Sequence, residues 1–210
     1  MNDQHNRSWR GRGLFVTCQR LILASGSPRR QRLLEEAGLD FEVAVPAVEE
    51  KPLPDETPRQ FVRRVAAEKA EAVSRLQPAA WVLAADTIVV LDHEILGKPR
   101  DGAAARKMLR RLAGRRHKVM TGFCIRRAKD ARLVRRVVST AVHFLPFPAA
   151  MAAAYVRTGE PLDKAGGYGI QGQGAALVDK INGSYSNVVG LPLSQVLQEL
   201  TDLGVIAPAG

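Results

Sequence analysis

With 210 residues, 46% of them hydrophobic and 25% charged, the chain is long enough for one domain with a full core, or for two small lobes around a cleft. The two cysteines, Cys18 and Cys124, exclude a disulfide framework or a thiolate metal site and fit a reducing cytoplasm. The formal charge of +10 points to an anionic partner, and no apolar stretch approaches the roughly 18 residues that span a bilayer, so no membrane is expected.

Residues 1–19 carry Arg7, Arg10 and Arg12 and read as a basic, disordered extension, with an apolar run too short for a signal peptide. A single domain is expected over residues 20–206, with 207–210 as a tail. Leu21 to Ala24 reads as a first strand. Ser25-Gly26-Ser27 then forms a tight loop, and Ser27-Pro28 opens a helix with a capping hydroxyl and Pro in the first turn. That helix stops at Gly38. A strand, a Gly/Ser loop and a helix N-terminus together make an anion site. Arg29 and Arg30 sit at the helix end that repels cations, which suggests a ligand of high negative charge, although a basic surface is the plain alternative.

Phe41 to Val48 is expected as a second strand, ending at Glu49-Glu50. Thr57-Pro58-Arg59-Gln60 is a capping-box start for a long helix to about Leu76. Phe61, Val65, Ala72 and Leu76 share one face of it, and Lys69 falls near the centre of that face. Lysines seldom occupy a buried stripe unless paired or aimed into a cleft.

Trp81 to Leu91 is the longest apolar run and reads as a strand buried on both faces, interrupted by Asp86. A carboxylate there costs several kcal/mol unless a metal, a cation or an opening to water meets it. Asp86 is therefore placed at a functional cleft. Asp92-His93 reads as a hairpin turn leading to Gly97-Lys98-Pro99. A basic helix follows at 102–113, then strands near 117–127 and 133–145, a helix from Pro148 to Arg157, a Gly-rich loop-and-strand segment at 159–190, and a last helix from Leu191 to Gly204 that buries Leu193, Val196, Leu197, Leu200 and Leu203. Alternating strands and helices point to α/β.

Between Arg100 and Arg136 fourteen Lys or Arg face two acids. The block can attract nucleic acid, but no aromatics interleave with it, so base stacking is not expected and a solvated face is the simpler reading. His5, His93, His117 and His143 show no ligand spacing. Any metal is then a hard ion held by oxygen, Mg²⁺ or Mn²⁺.

Six ordered blocks, from about Leu21 to Leu203, resemble the Maf family: Ala24 to Arg30, Ala85-Asp86-Thr87, Gly97-Lys98-Pro99, His117 to Gly122, Glu160 to Gly172, and Asn182 to Pro192. Ala113 departs from the usual serine, and the basic tail has no family counterpart. The resemblance implies a nucleoside triphosphate pyrophosphatase that cleaves between the α and β phosphates, in a two-lobed α/β fold like that of inosine triphosphate pyrophosphatases. A mixed central sheet would hold the cleft between its lobes. It also implies a divalent cation and a homodimer.

Thr87, Gln171 and the Arg29-Arg30 pair resemble the dTTP/UTP subgroup rather than the 7-methyl-GTP subgroup, and some relatives accept modified pyrimidine triphosphates. On this reading Asp86 orients and deprotonates water or binds the metal, and Glu50 shares one of those tasks. Lys69 and Lys98, with Arg29 and Arg30, offset the triphosphate charge. Ser25, Gly26 and Ser27 give amide donors to phosphate, Gln171 reads a pyrimidine edge, and Thr87 shapes that pocket. Lys98 could instead be a turn residue, Glu50 merely solvated, and Gln171 a partner of its own loop. Asp163 and Lys164 are read as a structural ion pair. A regulatory role in cell division, through nucleic acid or a partner, is the rival function.

Overall fold

The computed structural model describes residues 13–210. Its centre is a mixed sheet in the order β3-β2-β4-β6-β7-β8, with β5 pairing β4. The strands are β2 (Leu21–Leu23), β3 (Glu42–Val43), β4 (Trp81–Leu91), β5 (Glu94–Leu96), β6 (Arg116–Arg127), β7 (Arg132–Phe144) and β8 (Val178–Asn182). β2 runs parallel to both β3 and β4, while the other pairs are antiparallel.

β4 carries the whole fold. It pairs β6 along one edge from Val82 to Val90. Its other edge pairs β2 only at Trp81–Leu83 and β5 only at Val89–Leu91. Ala84 to Ile88 therefore line a notch between two partners, where the strand neighbour changes. Ligand crevices form at such breaks in α/β sheets because backbone groups and side chains lie open there.

Helix α2 (Pro58–Leu76) lies across one face. Thr57 caps it with the expected box, its side chain and that of Gln60 exchanging bonds with each other's backbone amides. Phe61, Val62, Val65, Ala66, Ala70 and Val73 pack on Val82, Ala84, Ile88 and Val90 of β4. Leu76, expected on that stripe, is 80% exposed, because it closes the final turn of α2, past Val73, the last core residue of the helix. α2 reaches the sheet through a glycine: a Cβ on Gly122, opposite Asp86 in the register, would lie 2.2 Å from the Val62 carbonyl oxygen.

The opposite face holds two separate cores. Ala85 and Phe123 pack with α1 (Pro28–Glu36) and α6 (Leu193–Asp202). Val89 and Val119 pack with α3 (Gly102–Leu112) and α4 (Ala149–Arg157). In α6, Val196 and Leu200 are buried, with Leu193, Leu197 and Leu203 packed at their margin. These are the two lobes of the expected α/β architecture.

Other boundaries differ from the sequence reading. The expected extension is shorter than residue 19, since β1 (Phe15–Thr17) pairs antiparallel with β9 (Ile206–Pro208), which also takes up part of the expected tail. Phe15 and Ile206 join the α1/α6 core, and that burial holds β1 and β9 against it. The rest of the extension, residues 1–12, lies outside the described residues. β3 is two residues long rather than reaching Val48, because β2 offers no longer a partner and Val45 is 71% exposed. The Gly-rich segment contains a short helix, α5 (Tyr185–Val189), capped by Ser184. No helix among the described residues is long and apolar enough to cross a membrane.

Candidate active site

The notch opens into a cleft of about 390 Å³ lined by all ten residues singled out from the sequence: Ser25, Ser27, Arg29, Arg30, Glu50, Lys69, Asp86, Thr87, Lys98 and Gln171. They come from six parts of the chain, so only the fold brings them together.

At the base, Lys69 Nζ lies 2.8 Å from Asp86 Oδ1 and 2.6 Å from Glu50 Oε1. Lys69 and Asp86 are both buried. The lysine on the buried stripe of α2 and the carboxylate in the apolar strand thus answer each other's desolvation cost. Among the described residues the sealed side-chain polar atoms without a partner are His117 Nδ1 and Asn187 Oδ1. Asp86 Oδ2, which accepts no hydrogen bond from the described residues, is therefore the oxygen that meets the cleft. Burial pushes the Glu50 carboxyl up, but the Lys69 hydrogen bond and the charges of Lys69, Lys98 and Arg30 outweigh it and hold Glu50 below the ordinary carboxylate range.

On the other face of β4 the site is built around Arg30. Its Nε donates to the Gly190 carbonyl at 2.8 Å, Nη1 to Ser25 Oγ at 2.9 Å and Nη2 to Thr87 Oγ1 at 3.1 Å. Burial pulls the Arg30 pKa down, against the raising fields of Asp86 and Glu50. The arginine therefore holds the Ser25 loop, the strand and the end of α5 in one piece. Thr87 is likewise occupied, which makes its part in the pocket one of fixing neighbours. Ser27 sits at the N-cap of α1 but makes no side-chain cap bond, contrary to expectation. Ser25 Oγ instead accepts from Ser27 N at 3.3 Å, which folds the loop and leaves the helix N-terminus to face the cleft.

The mouth is bridged by Asp163, which takes Arg29 Nη1 at 3.2 Å and Lys164 Nζ at 2.7 Å. The expected Asp163–Lys164 ion pair is present, but both residues line the cleft, a place their sequence did not disclose. Gln171 stands exposed on the Gly-rich loop. That loop is held from behind by Glu160, whose carboxylate accepts from Gln173 N, Gly174 N and Tyr155 Oη, while Tyr155 Oη accepts from Gly169 N. Tyr155 carried no signal in its helical stretch, and the buried Tyr168 of the lining carried none beyond its place in a Gly-rich block.

Two carboxylates on either side of one ammonium supply hard oxygen donors. Mg²⁺ or Mn²⁺ takes one or two such groups and fills its shell with phosphate oxygens and water, so Asp86 and Glu50 fit a divalent cation as an oxygen site. Among the described residues there is no cluster of three or more His, Cys, Asp or Glu that would make an all-protein cage. The basic block, for its part, is neutralised in part: Arg111 pairs with Glu94, Arg115 with Asp92, Arg126 with Glu71, Arg127 with Asp130 and Arg136 with Glu199.

A mixed-sheet α/β protein whose cleft joins a paired acid, a helix N-terminus and several cations is of the class that binds phosphate esters in a strand-switch crevice. A family model described as Maf-like protein matches residues 20–203. A dTTP/UTP pyrophosphatase of Desulfotalea psychrophila is 54% identical over 187 residues, which cover 89% of this chain and 96% of the relative. One of the same name from Symbiobacterium thermophilum is 53% identical over 89% of this chain and 95% of its own length. Another, from Syntrophus aciditrophicus, is 48% identical over 91% and 94%. The chain belongs to the Maf family.

Proposed function

We propose that this protein hydrolyses dTTP and UTP to the nucleoside monophosphate and pyrophosphate. The observation that carries the reading is the Lys69-bridged pair of Asp86 and Glu50 at the base of a cation-rimmed cleft. The relatives named for this activity, about half identical along nearly their whole length, supply the substrate class.

Chemistry follows from the geometry. A water seated against Asp86 Oδ2 gives its proton to that carboxylate as its oxygen bonds to the α phosphorus. The bond from the α phosphorus to the bridging oxygen breaks, and pyrophosphate leaves with the electron pair. Lys69 fixes Asp86 through Oδ1, so the base is oriented before substrate arrives. Lys98, Arg29, Arg30 and the amides of the Ser25-Gly26-Ser27 loop neutralise the triphosphate, whose charge is the main obstacle to attack. Asp86 and Glu50 would hold a divalent cation, which would supply further neutralisation of the phosphate oxygens. Gln171 offers a donor and an acceptor to a pyrimidine edge, and Thr87 fixes the wall beside it through Arg30 and Gly190. The reading takes the protein as a homodimer, as the family resemblance implies, and as cytoplasmic, as its cysteine usage suggests.

The test is pyrophosphate release from a panel of dTTP, UTP, CTP, dATP and 7-methyl-GTP, each with Mg²⁺ and with Mn²⁺. Fastest release from dTTP and UTP supports the reading. Inertness toward both, or preference for 7-methyl-GTP, overturns it.

A further inference from the structure

Glu50 reaches Lys69 from a stretch with little of its own to hold it. Residues 44–57 form neither helix nor strand. Their mutual backbone ties are sparse: Ala44 N bonds the Leu23 carbonyl at one end, and Glu56 N bonds the Leu53 carbonyl near the other. Glu49 and Lys51, on either side of Glu50, pair with each other in solvent.

One side chain docks this stretch onto α2. Arg64 Nη2 donates to the Lys51 carbonyl at 2.9 Å and to Glu56 Oε2 at 2.7 Å, while Nε donates to Glu56 Oε1 at 2.7 Å. Nη1 donates to Glu68 of α2 at 3.1 and 3.2 Å. Glu56 Oε2 also accepts from Leu53 N at 3.0 Å. A single guanidinium thus grips both ends of the 51–56 turn and secures it to the helix that bears Lys69, five residues further on. The Glu56 side chain is 8% exposed and that of Arg64 22%, so this bidentate pair is partly shielded from solvent and its fork geometry is worth more than an open surface ion pair.

We propose that Arg64 is a positioning residue: through Glu56 and the Lys51 carbonyl it sets the Glu50 carboxylate at its distance from Lys69 and the cleft. The proposal rests on the reading of Glu50 as part of the catalytic machinery. A role confined to stabilising the start of α2 would need the pair with Glu56, but not the bond to the residue next to Glu50. Lysine cannot replace the arginine, since a point charge cannot form the fork.

The test compares wild type with Arg64→Lys, Glu56→Gln, Glu50→Gln and the double variant Arg64→Lys/Glu50→Gln. Amide hydrogen exchange should rise in residues 47–56 of Arg64→Lys and Glu56→Gln, with α2 and the sheet unchanged. The kcat for dTTP should fall at least about tenfold in Arg64→Lys, because small misplacements of a catalytic group are costly. The double variant should be no slower than Glu50→Gln alone, since residues acting as one unit are not additive. Unchanged exchange in 47–56, for both single variants, overturns the clamp whatever the activity. Losses that multiply in the double variant also overturn it. If the loop loosens but the wild type releases no pyrophosphate from dTTP, the clamp stands and the substrate reading falls.

Discussion

Thr87 and Thr121 face each other across the β4–β6 register with their hydroxyl oxygens 2.9 Å apart. Their strand neighbours on the same face are apolar and belong to different cores, Ala85 and Phe123 to one lobe, Val89 and Val119 to the other. The pair is the polar seam between the lobes, and Arg30, Gly190 and Asn187 bond to it. Replacing Thr87 by Val keeps the volume but leaves the Arg30 donor and the Thr121 hydroxyl each short of a partner. A loss of about 1–3 kcal/mol in urea unfolding is expected, with a raised KM for dTTP, while Thr87→Ser should restore both. Thr87→Val/Thr121→Val should cost less than the sum of its parts; strict additivity would show that the hydroxyls act separately.

Asp86→Asn tests the base. Lys69 keeps its bond to Glu50, and the amide oxygen can still accept from Nζ, so the strand should fold as before. The lost proton acceptor should lower kcat by about 10²–10⁴-fold. Pyrophosphate release from dTTP together with a thermal melt decides it: a wild-type rate removes Asp86 from the chemistry, and a collapsed melt would assign it to the fold.

Gly122→Ala places a methyl against the Val62 carbonyl, where only backbone stands and nothing can rotate aside. α2 has to lift from the sheet, carrying Lys69 away from Asp86. Overpacking of this kind costs about 1–3 kcal/mol or more, and activity should fall further than stability alone explains. Equal melts and equal rates for the variant and wild type would contradict the close approach.

How far the sequence discloses this site depends on the residue. Lys69 and Asp86 break apolar patterns, and a break in a pattern is local information. The capping box of α2 and the turn at Asp92-His93, both with positive φ, are equally local. β3 is overread because alternation persists past Val43 where no strand remains to pair, and pairing is a property of the partner. α5 escapes notice because its five residues lie among glycines, with Gly190 at φ 132 ending it. Arg64, Glu160 and Tyr155 are ordinary residues in their own stretches. Their work is done on Lys51, Gly174 and Gly169, at separations that no periodicity encodes.

His117 makes a prediction about pH. Its Nε2 lies 2.7 Å from Tyr168 Oη, and its Nδ1 is sealed without a partner. Burial pushes its pKa down to about 4, and His143 adds to the effect. An unfolded histidine titrates near about 6.5. Between those values the unfolded chain takes up a proton that the folded protein refuses, so stability is full above the unfolded value and drains away as pH falls to about 4. The loss over that window should be about 3 kcal/mol. Depressed carboxyls such as Glu50 also weaken the fold in acid, in the same direction, so the comparison must be with His117→Gln, which keeps a group able to bond Tyr168. Urea unfolding at pH 7.5, 5.5 and 4.5 should give wild type the steeper decline. Parallel curves would mean that His117 is protonated inside the fold, and that the wall of the cleft beside Tyr168 carries a charge.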